Sequence, residues 1–412
     1  MHILLIHQSY TSIDEPGGTR HHELARYLVD EGHSITIIAS QVSYLTGRRA
    51  GGDAPELERP SSPSGSGSAE AGRVTVLRTY TYPALHRSFV HRLFSFFSFM
   101  ASSFWAGLRV KDVDVVWGTS PPIFQGLTAW LVARLKGVPF LFEVRDLWPA
   151  FAVQVGVLRQ PILIRLSERL ERFLYQHANR LIVNSPGFVE HVKERGAKRV
   201  EVIPNGADPR MFDPQSDGMD FRRQHGLEGK YLVMYAGAHG LSNDLGVVLD
   251  AALQLHNQPE IVFVLLGDGK EKGVLIAKAT DMKLTSVLFL PPIPKSGMSR
   301  ALAASDVCVA ILKPIPLYAT VYPNKVFDYM AAGRPVVLAI DGVIKDVVER
   351  AGAGIPIPPG DPTALAQAIR LLSGDRQMGR EMGSRGRYYV EAHFDRLRLA
   401  GQLSRQFQEL IG

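Results

Sequence analysis

Thr320-Val-Tyr-Pro-Asn-Lys-Val-Phe-Asp-Tyr-Met-Ala-Ala-Gly-Arg-Pro-Val-Val337 decides the fold. Pro323 and Asn324 can open a helix, Val326, Phe327 and Met330 supply one apolar face, and Gly333 ends it before an apolar strand. Loop, helix and strand follow without spare residues, as in a crossover between parallel strands. Lys325 and Asp328 are left near the first turn, pointing away from that face. A loop and a helix N-terminus can hold a diphosphate, with Lys325 adding positive charge. Asp328, one turn on from Asn324, can accept the two hydroxyls of a ribose. Spacing alone leaves equally open that Asp328 complements the helix dipole and that Lys325 is solvated.

Outward from this unit the same alternation fills the chain. Apolar runs at Ile3–Ile6, Ser34–Ala39, Val74–Arg78, Val113–Trp117, Phe140–Val144, Arg180–Val183 and Val200–Ile203 form one series of strands. Tyr231–Tyr235, Ile261–Leu266, Val287–Phe289, Val307–Ile311 and Val336–Ala339 form a second. Continuous apolar strands separated by helices imply parallel sheets covered on both faces, so the chain reads as two Rossmann-like, doubly wound α/β domains. Ile203-Pro-Asn-Gly-Ala-Asp208 breaks the pattern and marks the seam. The expected division is 1–205, 206–390 and a closing helix in 391–412. In that helix Leu397, Ala400, Leu403, Phe407 and Leu410 recur at helical spacing. Residues 50–73, rich in Gly, Ser and Pro, are expected to form a mobile surface loop.

Length and composition agree. The 412 residues suit two domains, and 46% hydrophobic with 21% charged content is ordinary for a globular enzyme. The single cysteine, Cys308, excludes an internal disulfide and reads as a strand residue. The N-terminal run Met-His-Ile-Leu-Leu-Ile-His reads as a buried strand rather than a secretory signal, and no apolar run has spanning length. A cytoplasmic protein is therefore expected. The net charge of +6 suits an anionic substrate or membrane surface and is too weak to imply nucleic acid.

Other segments carry possible chemistry. Gly17 and Gly18 precede a helix N-terminus, where phosphate or sugar can approach backbone N–H groups; a flexible loop capped by Thr19 is the alternative. His21 and His22 open that helix, either beside the donor or as solvated turn residues. Arg145, Asp146 and Trp148 follow the strand Phe140–Val144 and would lie at an inter-domain cleft. There the Arg–Asp pair can orient an acceptor hydroxyl and an exposed Trp can stack on a sugar; an ion pair and a core Trp are the alternative. The stretch 87–108 is crowded with aromatics, and no Asp or Glu occurs from Arg73 to Lys111. It suits peripheral contact with anionic lipid on the inner face of the plasma membrane, or else an ordinary core helix. Asp112-Val-Asp114 directly precedes a strand and reads as an entry turn, so neither metal nor other cofactor is expected. Gly267-Asp-Gly-Lys-Glu-Lys-Gly273 fits neither the dinucleotide fingerprint nor a P-loop.

Asp328-Tyr-Met-Ala-Ala-Gly-Arg-Pro-Val-Val337 resembles the Glu-Ala-Met-Ala-x-Gly-x-Pro-Val-Val stretch of family 4 retaining glycosyltransferases. Ile203–Asp208, Tyr235-Ala-Gly237, Leu265-Leu-Gly-Asp-Gly269 and Phe289-Leu-Pro291 fall in the family's order, so the resemblance covers essentially the whole chain. Arg145-Asp-Leu-Trp-Pro149 is similar to the subgroup that builds bacterial surface polysaccharides. The resemblance implies the GT-B fold, two facing Rossmann-like domains with a C-terminal helix returning to the first. It also implies a nucleotide-diphosphate sugar donor, UDP-linked ahead of GDP-linked, often an N-acetylated amino sugar, and a sugar or polyprenyl-linked acceptor. Donor contacts are implied for Gly17, Gly18, Gly240, Asp268, Ile293, Thr320, Val321, Tyr322, Asn324, Lys325 and Asp328. Lys325, Arg145, Asp146 and His239 are implied in catalysis. The chain departs from the family where Thr320 replaces the first glutamate of the motif and Asp328 the second. Ala238 and Asn243 stand where an Arg and a Lys usually neutralise the diphosphate, for which His239, Lys325 or Arg145 could compensate. Trp117-Gly-Thr-Ser120 lacks a histidine that many relatives carry. A nucleotide-sugar epimerase or hydrolase on the same fold, or a non-catalytic sugar- or lipid-binding relative, are the competing readings.

Overall fold

The computed structural model describes residues 1–43, 47, 56–58, 73–84, 89–213 and 216–412. The chain divides into two units, one of 1–12, 18–204 and 396–412, the other of 13–17 and 205–395.

The first unit is built on β1 (His2–Ile6), β2 (Ser34–Ser40), β3 (Glu56–Glu58), β4 (Val74–Thr79), β5 (Val115–Ser120), β6 (Phe140–Val144), β7 (Arg180–Val183) and β8 (Val200–Val202). They form one sheet in the order β3-β4-β2-β1-β5-β6-β7-β8, parallel except for β3, which runs antiparallel on β4. The order reverses between β1 and β5, the switch point of a doubly wound sheet. Two sequence expectations are corrected here. Within 50–73, Glu56–Glu58 is a strand, β3, and of the rest only Arg73 lies among the described residues. β5 starts at Val115 because Asp112, at φ +54, and Asp114, whose Oδ2 accepts the His2 amide at 2.6 Å, form the entry turn.

The second unit contains β9 (Tyr231–Ala236), β10 (Ile261–Leu266), β11 (Val287–Leu290), β12 (Val307–Ile311), β13 (Val336–Ala339) and β14 (Gly354–Pro356), all parallel in the order β11-β10-β9-β12-β13-β14. Strand alternation shows on β9: Leu232, Met234 and Ala236 join one apolar core, while Tyr231, Val233 and Tyr235 join the other. Helices Lys295–Ala304, Asn324–Ala331 and Val343–Ala351 cover the first face. Leu245–Gln254, Lys272–Asp281 and Pro362–Gly374 cover the second. Cys308 is buried on β12.

The last helix, Arg396–Ile411, belongs to the first unit, where Leu399, Ala400, Leu403 and Phe407 enter its core. Leu397, expected on that face, is 42% exposed, and Leu399 takes its place. Arg396 is completely buried and donates to Glu23 at 2.8 Å. Arg20, on the same helix as Glu23, donates to the carbonyls of Ile203 and Pro204, both at 2.7 Å. One helix thus anchors both ends of the chain segment that leaves this unit.

Candidate active site

In the second unit the strand order reverses between β9 and β12, and ligands of such sheets bind beyond the carboxyl ends of the strands at that point. β9 runs into Gly237-Ala-His239 and β10 into Gly267-Asp-Gly269. These loops meet backbone to backbone. A Cβ on Gly267 would fall 1.9 Å from the Gly237 carbonyl oxygen, so only glycine fits there. The amide of His239 donates to the Asp268 carbonyl at 2.8 Å, and the Gly269 amide donates to Asp268 Oδ1, also at 2.8 Å. Gly240 follows, its carbonyl accepting the Asn243 amide.

Lys325 enters this corner from the first turn of the helix Asn324–Ala331. Its Nζ donates to the Tyr235 hydroxyl at 2.6 Å and lies 3.9 Å from the centre of that ring. A Cβ on Gly237 would approach Nζ to 2.8 Å, so the ammonium rests on the loop itself. Tyr235 in turn donates to the Ala238 carbonyl. The cation is only partly exposed and is not matched by a carboxylate among these contacts, and burial lowers its pKa to about 7.

His239 is fully buried, near Tyr235 and Phe289, and neither ring nitrogen has a hydrogen-bond partner among the described residues. Burial, with Lys272 and Lys325 adding to it, lowers its pKa to about 4, so the imidazole is neutral at pH 7. His239 therefore adds no positive charge to this corner at pH 7. Lys272 is committed to the carbonyls of Gly267 and Leu290, which leaves Lys325 as the cation resting on the loop.

Asp328 is likewise sheltered. Its Oδ2 pairs with Lys295 Nζ at 2.5 Å and accepts from Asn324 Nδ2 at 3.3 Å. Lys295, Tyr235 and Lys272 are site residues the sequence reading missed. Lys295 opens a helix after Pro291–Pro294, where nothing in the spacing points across to Asp328. Thr320 closes a 3-10 turn, Pro316–Thr320, with its hydroxyl on the Leu317 carbonyl. Val321 is extended and leads to the helix. Tyr322 turns its ring onto Phe327 and Phe394, and its carbonyl accepts Asn205 Nδ2. Ile293 packs at the edge of the apolar core. Gly17 is grouped with this unit, whereas Gly18 belongs to the first, where its carbonyl accepts the Thr11 hydroxyl.

In the first unit Arg145 leaves the end of β6 and donates to Thr119 Oγ1 at 2.8 Å and the Pro121 carbonyl at 3.0 Å. Burial raises the Asp146 pKa to about 7 against the opposing pull of Arg145. Trp148 is half-buried against Phe124 rather than exposed. His21 is buried, not solvated: its Nε2 lies 2.6 Å from Glu143 Oε2, and Arg20 Nε meets Glu143 Oε1 at 2.8 Å. His22 is partly buried, its Nδ1 3.2 Å from the Tyr10 hydroxyl. Thr19 donates to Glu23 instead of capping the helix. On the helix Phe89–Arg109, Phe94, Phe97 and Trp105 are more than half exposed along one stripe while Phe99 enters the core. No described helix is long and apolar enough to cross a membrane, and no cluster of three potential metal ligands occurs among the described residues.

Two doubly wound units are the architecture of GT-B glycosyltransferases, and solved structures agree. The sucrose-phosphate synthase of Thermosynechococcus elongatus superposes with a TM-score of 0.78 over 99% of this chain and 98% of that one, at 19% identity. Anabaena HepE, crystallised with UDP and glucose, gives 0.73 over the whole of both chains at 18% identity. Residues 17–206 match the glycosyl transferase 4-like domain and residues 230–375 the glycosyl transferases group 1 family, together most of the chain. The protein belongs to this family of glycosyltransferases. The probable glycosyltransferase WbjE of Pseudomonas aeruginosa is 26% identical over 63% of this chain and 66% of its own length. The putative colanic acid biosynthesis glycosyl transferase WcaI of Escherichia coli is 24% identical over 88% of this chain and 90% of its own.

Proposed function

We propose that the protein transfers a sugar from UDP to an acceptor in bacterial surface-polysaccharide synthesis, with retention of anomeric configuration and without a metal ion. The observation that carries this reading is the sheltered Lys325 ammonium on the Gly237–His239 loop. A cation held on a neutral hydroxyl, beside a helix N-terminus at a switch point, is matched by a diphosphate leaving group. Departure of the diphosphate would leave an oxocarbenium-like centre for attack from the same face by the acceptor hydroxyl. Lys325 and the amides of the Thr320–Asn324 segment then stabilise the leaving group, and Asp328, oriented by Lys295, takes the ribose. His239, uncharged, can offer a hydrogen bond to the donor. Asp146, with its pKa near neutrality, is suited to exchange a proton with the acceptor, and Arg145 holds the adjoining loop.

The subgroup resemblance points to an N-acetylated amino sugar and a polyprenyl-linked acceptor, and WcaI supports the polysaccharide setting. The aromatic stripe Phe94, Phe97 and Trp105, with Arg92 and Arg109 exposed on the same helix, is suited to peripheral contact with anionic lipid, consistent with work on the cytoplasmic face of the membrane.

Calorimetric titration of UDP, GDP, ADP and NAD in EDTA tests the reading. Selective binding of UDP is the expected result. Tight NAD binding with no response to UDP or GDP would overturn it.

A further inference from the structure

A second cavity, of about 460 Å³, opens in the second unit at the opposite edge of the sheet. Tyr231, the first residue of β9, lines it together with Asp306 and Pro335, which immediately precede β12 and β13. β9 is six residues long, so this cavity and the Lys325 corner are separated by roughly 20 Å of strand. Its walls carry five cationic side chains, Arg222, Lys230, Arg334, Arg376 and Arg380, against two carboxylates, Asp217 and Asp306.

Most of these charges have work elsewhere. Asp306 Oδ2 accepts Arg222 Nη2 at 2.8 Å and the Leu232 amide at 2.7 Å. Arg222 also donates to the carbonyls of Lys230 and Ala304. Lys230 Nζ donates to the Pro259 carbonyl, Asp217 accepts the Met219 amide, and Arg380 holds Gln377. Two guanidinium groups remain undersupplied. Arg334 has a buried Nε with no hydrogen-bond partner among the described residues, and Nη2 reaches only the Ser216 carbonyl at 3.5 Å. Burial is the main cause that disfavours its charged state, with Arg222 adding to it and Cys308 and Asp306 opposing it. Arg376, half exposed, leans over the Tyr231 ring and stands 3.9 Å from Asp306 Oδ1.

One wall of the cavity is closely backed. The helix Arg376–His393 closes on the Gly333–Arg334 turn so nearly that a Cβ on Gly383 would fall 2.0 Å from the Gly333 carbonyl oxygen. A buried guanidinium N–H without an acceptor, as at Arg334 Nε, is costly unless an anion supplies it, and the planar fork of arginine matches phosphate oxygens. We infer that this cavity is a second anion site, which binds a phosphate-bearing small molecule or headgroup between Arg334 and Arg376, independently of the nucleotide-sugar site. Arg334 lies just beyond the helix that presents Lys325 and Asp328, so an occupant would sit at the far end of that helix.

Calorimetric titration of the full chain with inorganic pyrophosphate tests the site, comparing wild type, Arg376→Gln, Arg334→Gln and Lys325→Met. Arg376 lies on an exposed helix surface, so its variant tests the site even if Arg334→Gln fails to fold. The expected result is a binding event that survives Lys325→Met and weakens about tenfold in either arginine variant. Pyrophosphate binding lost only in Lys325→Met would overturn the second site while leaving the donor site standing. No binding at millimolar pyrophosphate, or binding that ignores both arginine variants, would also overturn it. Sedimentation with phosphatidylglycerol vesicles separates the sources. Sedimentation lost in the arginine variants assigns a lipid headgroup, and unchanged sedimentation beside weakened pyrophosphate binding assigns a soluble phosphate.

Discussion

Both units bury charge, but in different ways. In the first, Glu143 is matched by Arg20, with His21 hydrogen-bonded to it, Glu23 by Arg396, and Glu171 by Arg195, with His191 beside it. All three carboxylates are buried, and the Glu143 and Glu23 pairs join segments far apart in sequence. In the second, Asp328 is matched in the same way by Lys295, but Lys325 rests on a tyrosine hydroxyl and the face of its ring. A buried charge that is matched inside the protein holds the fold, whereas one matched only by neutral groups is poised for a ligand of opposite sign. Asp146 is the first unit's own exception, a carboxyl whose burial outweighs the pull of Arg145.

The sharpest way to break this comparison is Glu143→Ala. Removing the shared partner leaves Arg20 and His21 buried together, and the expected loss is about 3–5 kcal/mol in denaturant unfolding. A loss below about 1 kcal/mol would show that the network is ornamental. Lys325→Met should separate stability from binding. UDP affinity should fall about tenfold or more, while unfolding free energy at pH 6–7 should rise by on the order of 1–2 kcal/mol as the desolvated charge is removed. The sign follows from the folded pKa of about 7, against about 10.4 in the unfolded chain. Between those values the unfolded state holds more protons, so wild-type stability should climb with pH, and the variant should flatten that climb. A variant less stable than wild type at pH 7 would assign the lysine to the fold instead.

The smallest expected effect is that of Asp146→Asn. Here the folded pKa of about 7 lies above the unfolded value of about 3.9. The native state holds more protons across that interval, so the group costs stability as pH rises through it. The variant should melt higher than wild type at pH 8 and nearly with it at pH 4. Equal melting shifts at both pH values would remove Asp146 as an ionisable group out of balance.

The strands were legible because parallel sheets buried on both faces require continuous apolar runs, and β9, β10 and β12 are such runs. β14 escaped because Gly354-Ile-Pro356 offers one apolar side chain between a glycine and a proline. The loop-and-helix corner was legible as chemistry, through Lys325 and Asp328, but its electrostatics were not. What desolvates Lys325 is Tyr235, ninety residues earlier, and what engages Asp328 is Lys295, on another helix. His21 could be read as a donor neighbour or as a solvated turn residue because its partner, Glu143, lies on a strand 122 residues away. Local pattern reports which face a residue takes; it carries no information about what waits across the sheet.

The meeting of the Gly237 and Gly267 loops constrains how this protein can diverge. With a carbonyl oxygen where any side chain at position 267 would begin, substitution there is barred by space rather than by loss of a contact. A library randomised at 267 and selected only for correct folding should therefore return glycine, even with no sugar nucleotide present. The neighbouring positions 238 and 243, where this chain carries Ala and Asn, face no such bar. Side chains can change there beside a backbone junction that must stay as it is.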